Sequence, residues 1–167
     1  MDLYELMRKR RSVRYFSKEK FSKEKLKKIL DAAMLAPSGA NLKPYDFFVV
    51  DDQDLKIKIK DFCEEADKNF FSHSEAWFKS WMNKRKISLE KHFLTDAPYL
   101  VIVAGEKDKP YWLESTWIAI SYMILAAEYE GLNTLTYTPG ETEFLCSLLD
   151  IPKTYKPVAI IPVGYSN

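Results

Sequence analysis

The chain of 167 residues has the length of one ordinary domain, and 47% hydrophobic with 14% aromatic residues is enough to fill a core and excludes intrinsic disorder. Twenty-five Lys and Arg against 24 Asp and Glu leave a net charge of +1, so nothing global argues for a nucleic acid or an anionic membrane as partner. Five glycines are few, and none falls in a GxGxxG or GxxxxGK pattern, which disfavours a Rossmann dinucleotide site and a P-loop.

Asp2 is placed to cap a first helix with Leu3, Leu6 and Met7 at helical spacing. That helix runs into the basic end Arg8-Lys9-Arg10-Arg11, followed by Ser12-Val13-Arg14-Tyr15-Phe16. Ser22 caps a second helix with Leu26, Ile29, Leu30 and Ala33 on one face, stopping at Ala36 before Pro37. Ser38-Gly39-Ala40-Asn41 reads as a polar loop and Tyr45 to Val50 as a strand. Asp52 to about Phe70 reads as a third helix with Leu55, Ile59, Phe62, Cys63 and Ala66 along one side. From 71 to about 94 no period is clean, and the expectation is an irregular, lid-like stretch of helix and loop. Pro98 to Ala104 is a continuous apolar strand, buried on both faces. Within 111–131 lies a helix apolar almost all round, hence central to the core, with Gly131 as its stop. A short strand (134–137), a turn (138–140), a short helix (143–149) and a final strand (157–163) complete the chain, with no repeat or linker. Alternating strands and helices suggest, by generic rules, a parallel α/β sheet.

Cys63 and Cys146 are far apart, neither lies in a CxxC, and His73 and His92 have no ligand-like spacing with them. The expectation is two reduced thiols and no metal site. The start MDLYELMRKRRS carries charge at once and lacks a signal-peptide core, and the longest apolar run, Trp117 to Ala127, is short for a membrane span. Together these predict a cytoplasmic protein without membrane or nucleic-acid partners.

Four segments could carry chemistry. Arg10, Arg11, Ser12 and Arg14 supply guanidinium forks and a hydroxyl suited to phosphate oxygens, or cations that merely complement a helix C-terminus. Pro37-Ser38-Gly39-Ala40-Asn41 and Thr136-Tyr137-Thr138-Pro139-Gly140-Glu141 each read, taken alone, as ordinary turns. Phe71 to Lys86 mixes aromatic and basic residues, as a substrate lid or a satellite core would. Glu64, Glu65 and Asp67 read as a solvated helix face.

In order and spacing these segments resemble the nitroreductase superfamily over nearly the whole chain. Residues 10–16 (RRSVRYF) are similar to its RRSVRxF, 36–45 (APSGANLKPY) to its APSGxNxQPW, and 157–165 (PVAIIPVGY) to its closing strand. The resemblance implies an α+β, three-layer fold with a mixed, mostly antiparallel sheet flanked by helices, which replaces the generic parallel sheet. It implies a homodimer with FMN at the subunit interface. Arg10, Arg11, Ser12 and Arg14 then hold the phosphate. Pro37, Ser38, Gly39 and Asn41 approach from the partner, and Thr138, Pro139, Gly140 and Glu141 lie over the ring near N5. The implied activity is NAD(P)H-dependent, ping-pong reduction of nitro- or quinone-like acceptors, with a flavin-binding module that does not turn over as an alternative from another class.

A second alternative comes from the similarity of RRSVR, PSGAN, the lid-like segment and Thr-Tyr-Thr-Pro to the iodotyrosine deiodinase branch. There a hydroxyl at the turn contacts flavin N5 and favours one-electron steps, a place that Thr138 occupies. A Glu and a Lys of that branch's lid clasp an amino-acid substrate, and Glu64 or Glu65 and Lys84 are the nearest equivalents. This alternative is reductive dehalogenation of a halogenated phenol. Lys43, Tyr45 and Ser121-Tyr122 depart from the usual Gln, Trp and Gln-Asn. The chain also stops at Asn167, where family members continue into an arm that embraces the partner, so either the short form manages without the arm or its flavin binding is weaker, and the extent of the dimer interface changes with it.

Overall fold

The computed structural model describes residues 2–167. Helix α1 (Leu3–Lys9) starts in a capping box, in which the Asp2 carboxylate accepts from the Glu5 N–H at 2.9 Å and the Glu5 carboxylate accepts from the Asp2 N–H at 3.1 Å. Ser22 caps α2 (Lys23–Met34). A 3₁₀ turn (Gly39–Asn41) leads into strand β1 (Tyr45–Val50). Asp52 caps α3 (Gln53–His73). The stretch without a sequence period resolves into α4 (Ala76–Lys84) and α5 (Phe93–Asp96), joined by non-helical chain. Strand β2 (Tyr99–Glu106), helix α6 (Trp112–Tyr129), strand β3 (Asn133–Thr134), helix α7 (Glu143–Leu148) and strand β4 (Tyr155–Gly164) follow.

The fold is α+β: the sheet has four strands in the order β1-β2-β4-β3, and every neighbouring pair of these strands is antiparallel. The generic parallel expectation fails for a reason visible in the connections. Between β1 and β2 the chain goes out along α3, roughly 30 Å at 1.5 Å per residue, and returns through α4 and α5, so it re-enters the sheet at the end it left. Helix α6 does make a true crossover, since β2 and β3 run the same way. Strand β4 then inserts between them in the opposite direction.

Side-chain alternation in β2 builds two cores. Leu100, Ile102 and Ala104 face one side, where they pack with Ile59, Cys63, Leu94, Leu145 and Ile160. Tyr99, Val101 and Val103 face the other, with Ile29 and Ala33 of α2 and Ile120, Met123 and Ala127 of α6. This is the three-layer arrangement, and it explains why the strand carries no charged residue from Tyr99 to Gly105. The register of β4 slips between Val103 and Ala104, where the partners jump from Ala159 to Pro157. The bulge accommodates a proline that has no N–H for the ladder.

Helix α6 is central on one side only. Thr116, Ala119, Ile120, Met123 and Ala127 are buried, but Leu113, Trp117, Ile118 and Tyr122 are exposed. Its nearly uniform apolarity therefore reflects two apolar faces rather than complete burial. Among the described residues, no helix is long and apolar enough to cross a membrane, and no cluster of three His, Cys, Asp or Glu side chains could hold a metal ion.

Leu100 is fully buried in the strand that both cores share. Leu100→Ala is expected to lower unfolding stability by about 2–5 kcal/mol, read as a lower urea midpoint with an unchanged slope.

Candidate functional site

Strand register assembles the candidate site. After α1 the chain runs beside β3 in the same direction: Ser12 bridges Thr134 in parallel, and the Val13 N–H donates to the Thr134 carbonyl at 3.0 Å. Two residues further along both segments, Arg14 comes to the level of Thr136. The chain beyond β3 then bridges Tyr137 to Ile160 and turns through Thr138, Pro139 and Gly140. The end of α3, helix α4 and residues 85–93 close over this edge. The half-open cavity has a volume of about 650 Å³, within the roughly 300–1,000 Å³ usual for small-molecule sites. Its walls are apolar, with Phe70, Phe71, Phe78, Met82, Phe93 and Leu135, and its cations are Arg14, Arg85, Lys86 and Lys91. Aromatic packing ties α4 to the end of α3: Phe70 meets Phe78 edge-on at 5.8 Å. A shallower hollow of about 520 Å³ shares Pro139 and Gly140 and is lined by Trp112, Trp117 and Glu141.

The floor of the cavity is held by carboxylates of α3. Asp67 accepts from the Gly140 N–H at 3.0 Å through Oδ1 and from the Tyr137 hydroxyl at 2.8 Å through Oδ2. The Lys91 ammonium lies 3.2 Å from the same Oδ2. One turn earlier, Glu64 accepts from the Lys91 N–H at 2.7 Å and pairs with Lys60 at 2.9 Å. Burial pushes the Glu64 carboxyl up, but the Lys91 N–H bond and the Lys60 ammonium outweigh it, and its pKa ends below the ordinary value. Burial pushes Tyr137 strongly upward, with the neighbouring Cys63 and Asp67 adding to it. Burial likewise raises the Cys63 thiol, to about 12, against a hydrogen bond with Tyr137 that pulls it down.

The residues singled out from the sequence divide clearly. Arg14, Thr138, Pro139 and Gly140 line the main cavity, and Glu141 lines the adjoining hollow. Thr138 is exposed, and among the described residues nothing hydrogen-bonds its hydroxyl. Arg10 is half-buried and Ser12 exposed, and neither lines the cavity. Arg11 turns back on its own helix, its Nη1 donating to the carbonyls of Arg8, Lys9 and Arg10, so it caps the C-terminus of α1 as the dipole reading of the basic end has it.

Pro37, Ser38, Gly39 and Asn41 stand apart from the cavity, beside the start of α6. The Ser38 hydroxyl accepts from the Lys43 N–H at 2.8 Å, and a Cβ on Gly39 would come within 2.8 Å of the Tyr111 ring. Of the expected lid pair, Glu64 is spent on Lys60 and the Lys91 backbone, while Glu65 and Lys84 are exposed and do not line the cavity. The carboxylates that line it are Asp67 and Glu90 and the ammonium groups Lys86 and Lys91, of which Asp67 and Lys91 pair with each other at 3.2 Å. Asp67 was readable from its spacing, three residues after Glu64 on the same helical face. Lys91 follows an aperiodic segment and carries no such signal.

The sequence model of the nitroreductase family matches residues 7–165. An iodotyrosine deiodinase of Thermotoga neapolitana is 40% identical over 165 residues, which span 99% of this chain and 89% of that protein. One of Haliscomenobacter hydrossis is 33% identical over 177 residues, spanning 98% and 79%. A crystal structure of oxidized iodotyrosine deiodinase bound to FMN and 3-iodo-L-tyrosine superposes with a TM-score of 0.96 at 39% identity, covering 99% of this chain and 90% of that one. A nitroreductase family protein of Clostridium novyi NT superposes with a TM-score of 0.80 at 28% identity, covering 100% and 86%.

Because burial raises both Cys63 and Tyr137, the folded protein keeps them protonated where the unfolded chain ionises them. The contribution of Cys63 is therefore complete below the ordinary thiol pKa of 9.0 and is lost as pH rises from there towards about 12, while that of Tyr137 begins to fall only above the ordinary phenol value of 10.0. A thiol reagent at pH 8 is expected to leave Cys63 unmodified in the native protein and to label it once urea unfolds the chain.

Proposed function

The chain belongs to the nitroreductase family of flavoenzymes, and from that premise we propose that it binds FMN and reductively removes halogen from a halogenated phenol. The observation that carries this reading is the free Thr138 hydroxyl, which opens into the cavity that Arg14 also lines. The sequence ranked nitro and quinone reduction first. The similarity to iodotyrosine deiodinases across almost the whole chain reverses that order in favour of dehalogenation.

The residues present fit a flavin mononucleotide. The cavity combines apolar ring-sized walls, a guanidinium suited to a phosphoryl group and an unpaired hydroxyl donor. In this reading Arg10, Ser12 and Arg14 hold the phosphate, while Arg11 is left out because its Nη1 is turned back onto the end of α1. Thr138 faces the ring at N5, and Pro139, Gly140 and Glu141 support it. Pro37, Ser38, Gly39 and Asn41 serve the flavin of a second copy, which accords with their distance from the cavity of their own chain. When bound, FMN supplies the two electrons that, with a proton at the ring carbon, replace a halogen by hydrogen and release halide. The chain's own groups orient the phenol, exclude water through Phe70, Phe78 and α4, and present the Thr138 hydroxyl. Reduced nicotinamide is the expected electron donor.

The second copy is supported by the outward face of α6, where Leu113, Trp117, Ile118 and Tyr122 form an exposed apolar row. An Ile118→Lys variant is expected to shift sedimentation towards the monomer and to lose flavin affinity with it. The chemical reading is tested by adding FMN, reducing it and supplying 2-iodophenol. Quenched flavin fluorescence and released iodide are expected. Thr138→Ala should slow iodide release about tenfold, the worth of one hydrogen bond of ~1.4 kcal/mol in the transition state. Nitroaromatic reduction without iodide release would return the reading to an ordinary nitroreductase, and flavin binding without any turnover would leave a binding module.

A further inference from the structure

Asp67 is the group on which three separate segments of the chain converge, and nothing in the proposed chemistry uses it. It lies near the end of α3, its side chain 17% exposed. Its hydrogen bonds tie it to the far side of the cavity edge. Oδ1 holds the Gly140 N–H, and Oδ2 holds the Tyr137 hydroxyl and faces the Lys91 ammonium. Tyr137 and Gly140 are the residues on either side of Thr138-Pro139. The turn is thus gripped at both ends by one carboxylate, 70 and 73 residues away in sequence.

Packing tightens the same junction. A Cβ on Gly140 would stand 3.2 Å from the Phe70 Cβ and 3.3 Å from the Ala66 carbonyl oxygen, so the turn rests directly on the last turns of α3. Lys91 is in turn fixed by its own backbone, whose N–H donates to Glu64 at 2.7 Å, and its ammonium also donates to the Ser88 carbonyl at 3.0 Å. A charged acceptor with three donors in a partly dehydrated site holds its partners more firmly than neutral hydrogen bonds would.

We propose that Asp67 is a positioning residue: its carboxylate latches the Tyr137–Gly140 turn to α3 and thereby sets where the Thr138 hydroxyl points. Thr138 itself has no partner within the described residues, so its placement follows from its turn, which the backbone bridge from Tyr137 to Ile160 holds at one end and the two Asp67 bonds hold at both. A free hydroxyl serves a ligand better when it does not have to be ordered as the ligand arrives. The latch supplies that order in advance and leaves the hydroxyl unspent. It also joins the turn to the 85–91 side of the cavity through Lys91, so the two walls are set by one group.

The inference has one half that rests on the flavin reading above and one that does not. The independent half is the latch. Asp67→Ala is expected to speed exchange of the Gly140 amide hydrogen by roughly ten- to a hundredfold, the range for losing a charge-assisted bond. Asp67→Asn, which keeps an acceptor for Gly140, should recover most of that protection. Tyr137→Phe, nearly isosteric, should raise exchange at Gly140 more weakly and serves if Asp67→Ala does not fold. Unchanged exchange in all the folded variants overturns the latch, whether or not FMN binds.

The dependent half is read on the FMN-loaded protein as the separation between the two one-electron potentials of the bound flavin. Asp67→Ala should shift it in the same direction as Thr138→Ala. The double variant should show no more than the Thr138→Ala shift, because Asp67 acts only through that hydroxyl. Fully additive shifts, or a shift with Thr138→Ala and none with Asp67→Ala, overturn the positioning role. Should the parent protein bind no FMN, or Thr138→Ala leave the potentials unmoved, the flavin reading is what fails, and the Gly140 exchange still decides the latch.

Discussion

A carboxylate removed from water must recover its lost hydration from protein donors, and the arrangement around Asp67 shows how much structure that demand can organise. The three donors it finds come from the strand extension at Tyr137, the turn at Gly140 and the loop at Lys91. None of these is near it in sequence. Each bond adds a side-chain tie to a segment, beside the backbone bridge from Tyr137 to Ile160 and the bond from the Lys91 N–H to Glu64. The cavity exists because α3, carrying Glu64 and Asp67 on one face, is held at a set height above the edge of the sheet.

The sheet supplies the frame for that edge. Strand β2 is buried on both faces and divides the interior into two cores, with α3, α5 and α7 on one side and α2 and α6 on the other. The parallel bridge from Ser12 to Thr134 adds one more segment beyond β3. That register, rather than any contact of its own side chain, brings Arg14 level with the turn that carries Thr138. The site is thus a joint between a rigid element, the strand edge, and a cover built from α3, α4 and the chain up to Lys91. Within the proposed function, the division suits a flavin enzyme: the edge presents the groups that meet the cofactor, and the cover supplies aromatic surface that excludes water.

Two side chains show how the same residue type acquires different roles from its surroundings. Arg11 and Arg14 leave α1 three residues apart, and both suit an anion. Arg11 lies within reach of the unpaired carbonyls at the end of its own helix and is consumed there, while Arg14 lies beyond the helix on the strand-like segment and remains open to the cavity. Glu64 and Asp67 part in the same way. Both are held, but Glu64 is bound to Lys60 and the Lys91 backbone away from the cavity, and Asp67 forms part of its lining.

Local signals carried most of the secondary structure. Caps at Asp2, Ser22 and Asp52, the proline after Ala36 and the β-branched run from Tyr45 act over a few residues, and the helices and strands they announce lie where those residues place them. The motif order also sufficed to indicate the family, because basic cluster, PSGAN loop and closing strand are contiguous pieces of sequence. Strand direction was not local: it depended on α3 and α4 forming an outward and a return leg, and the return leg has no period to read. The partners of Asp67 were out of reach for the same reason. A hydrogen bond between residues 73 apart leaves no pattern in spacing; only the packing of α3 against the strand edge decides which carboxylate on that helix meets the turn, and which faces away.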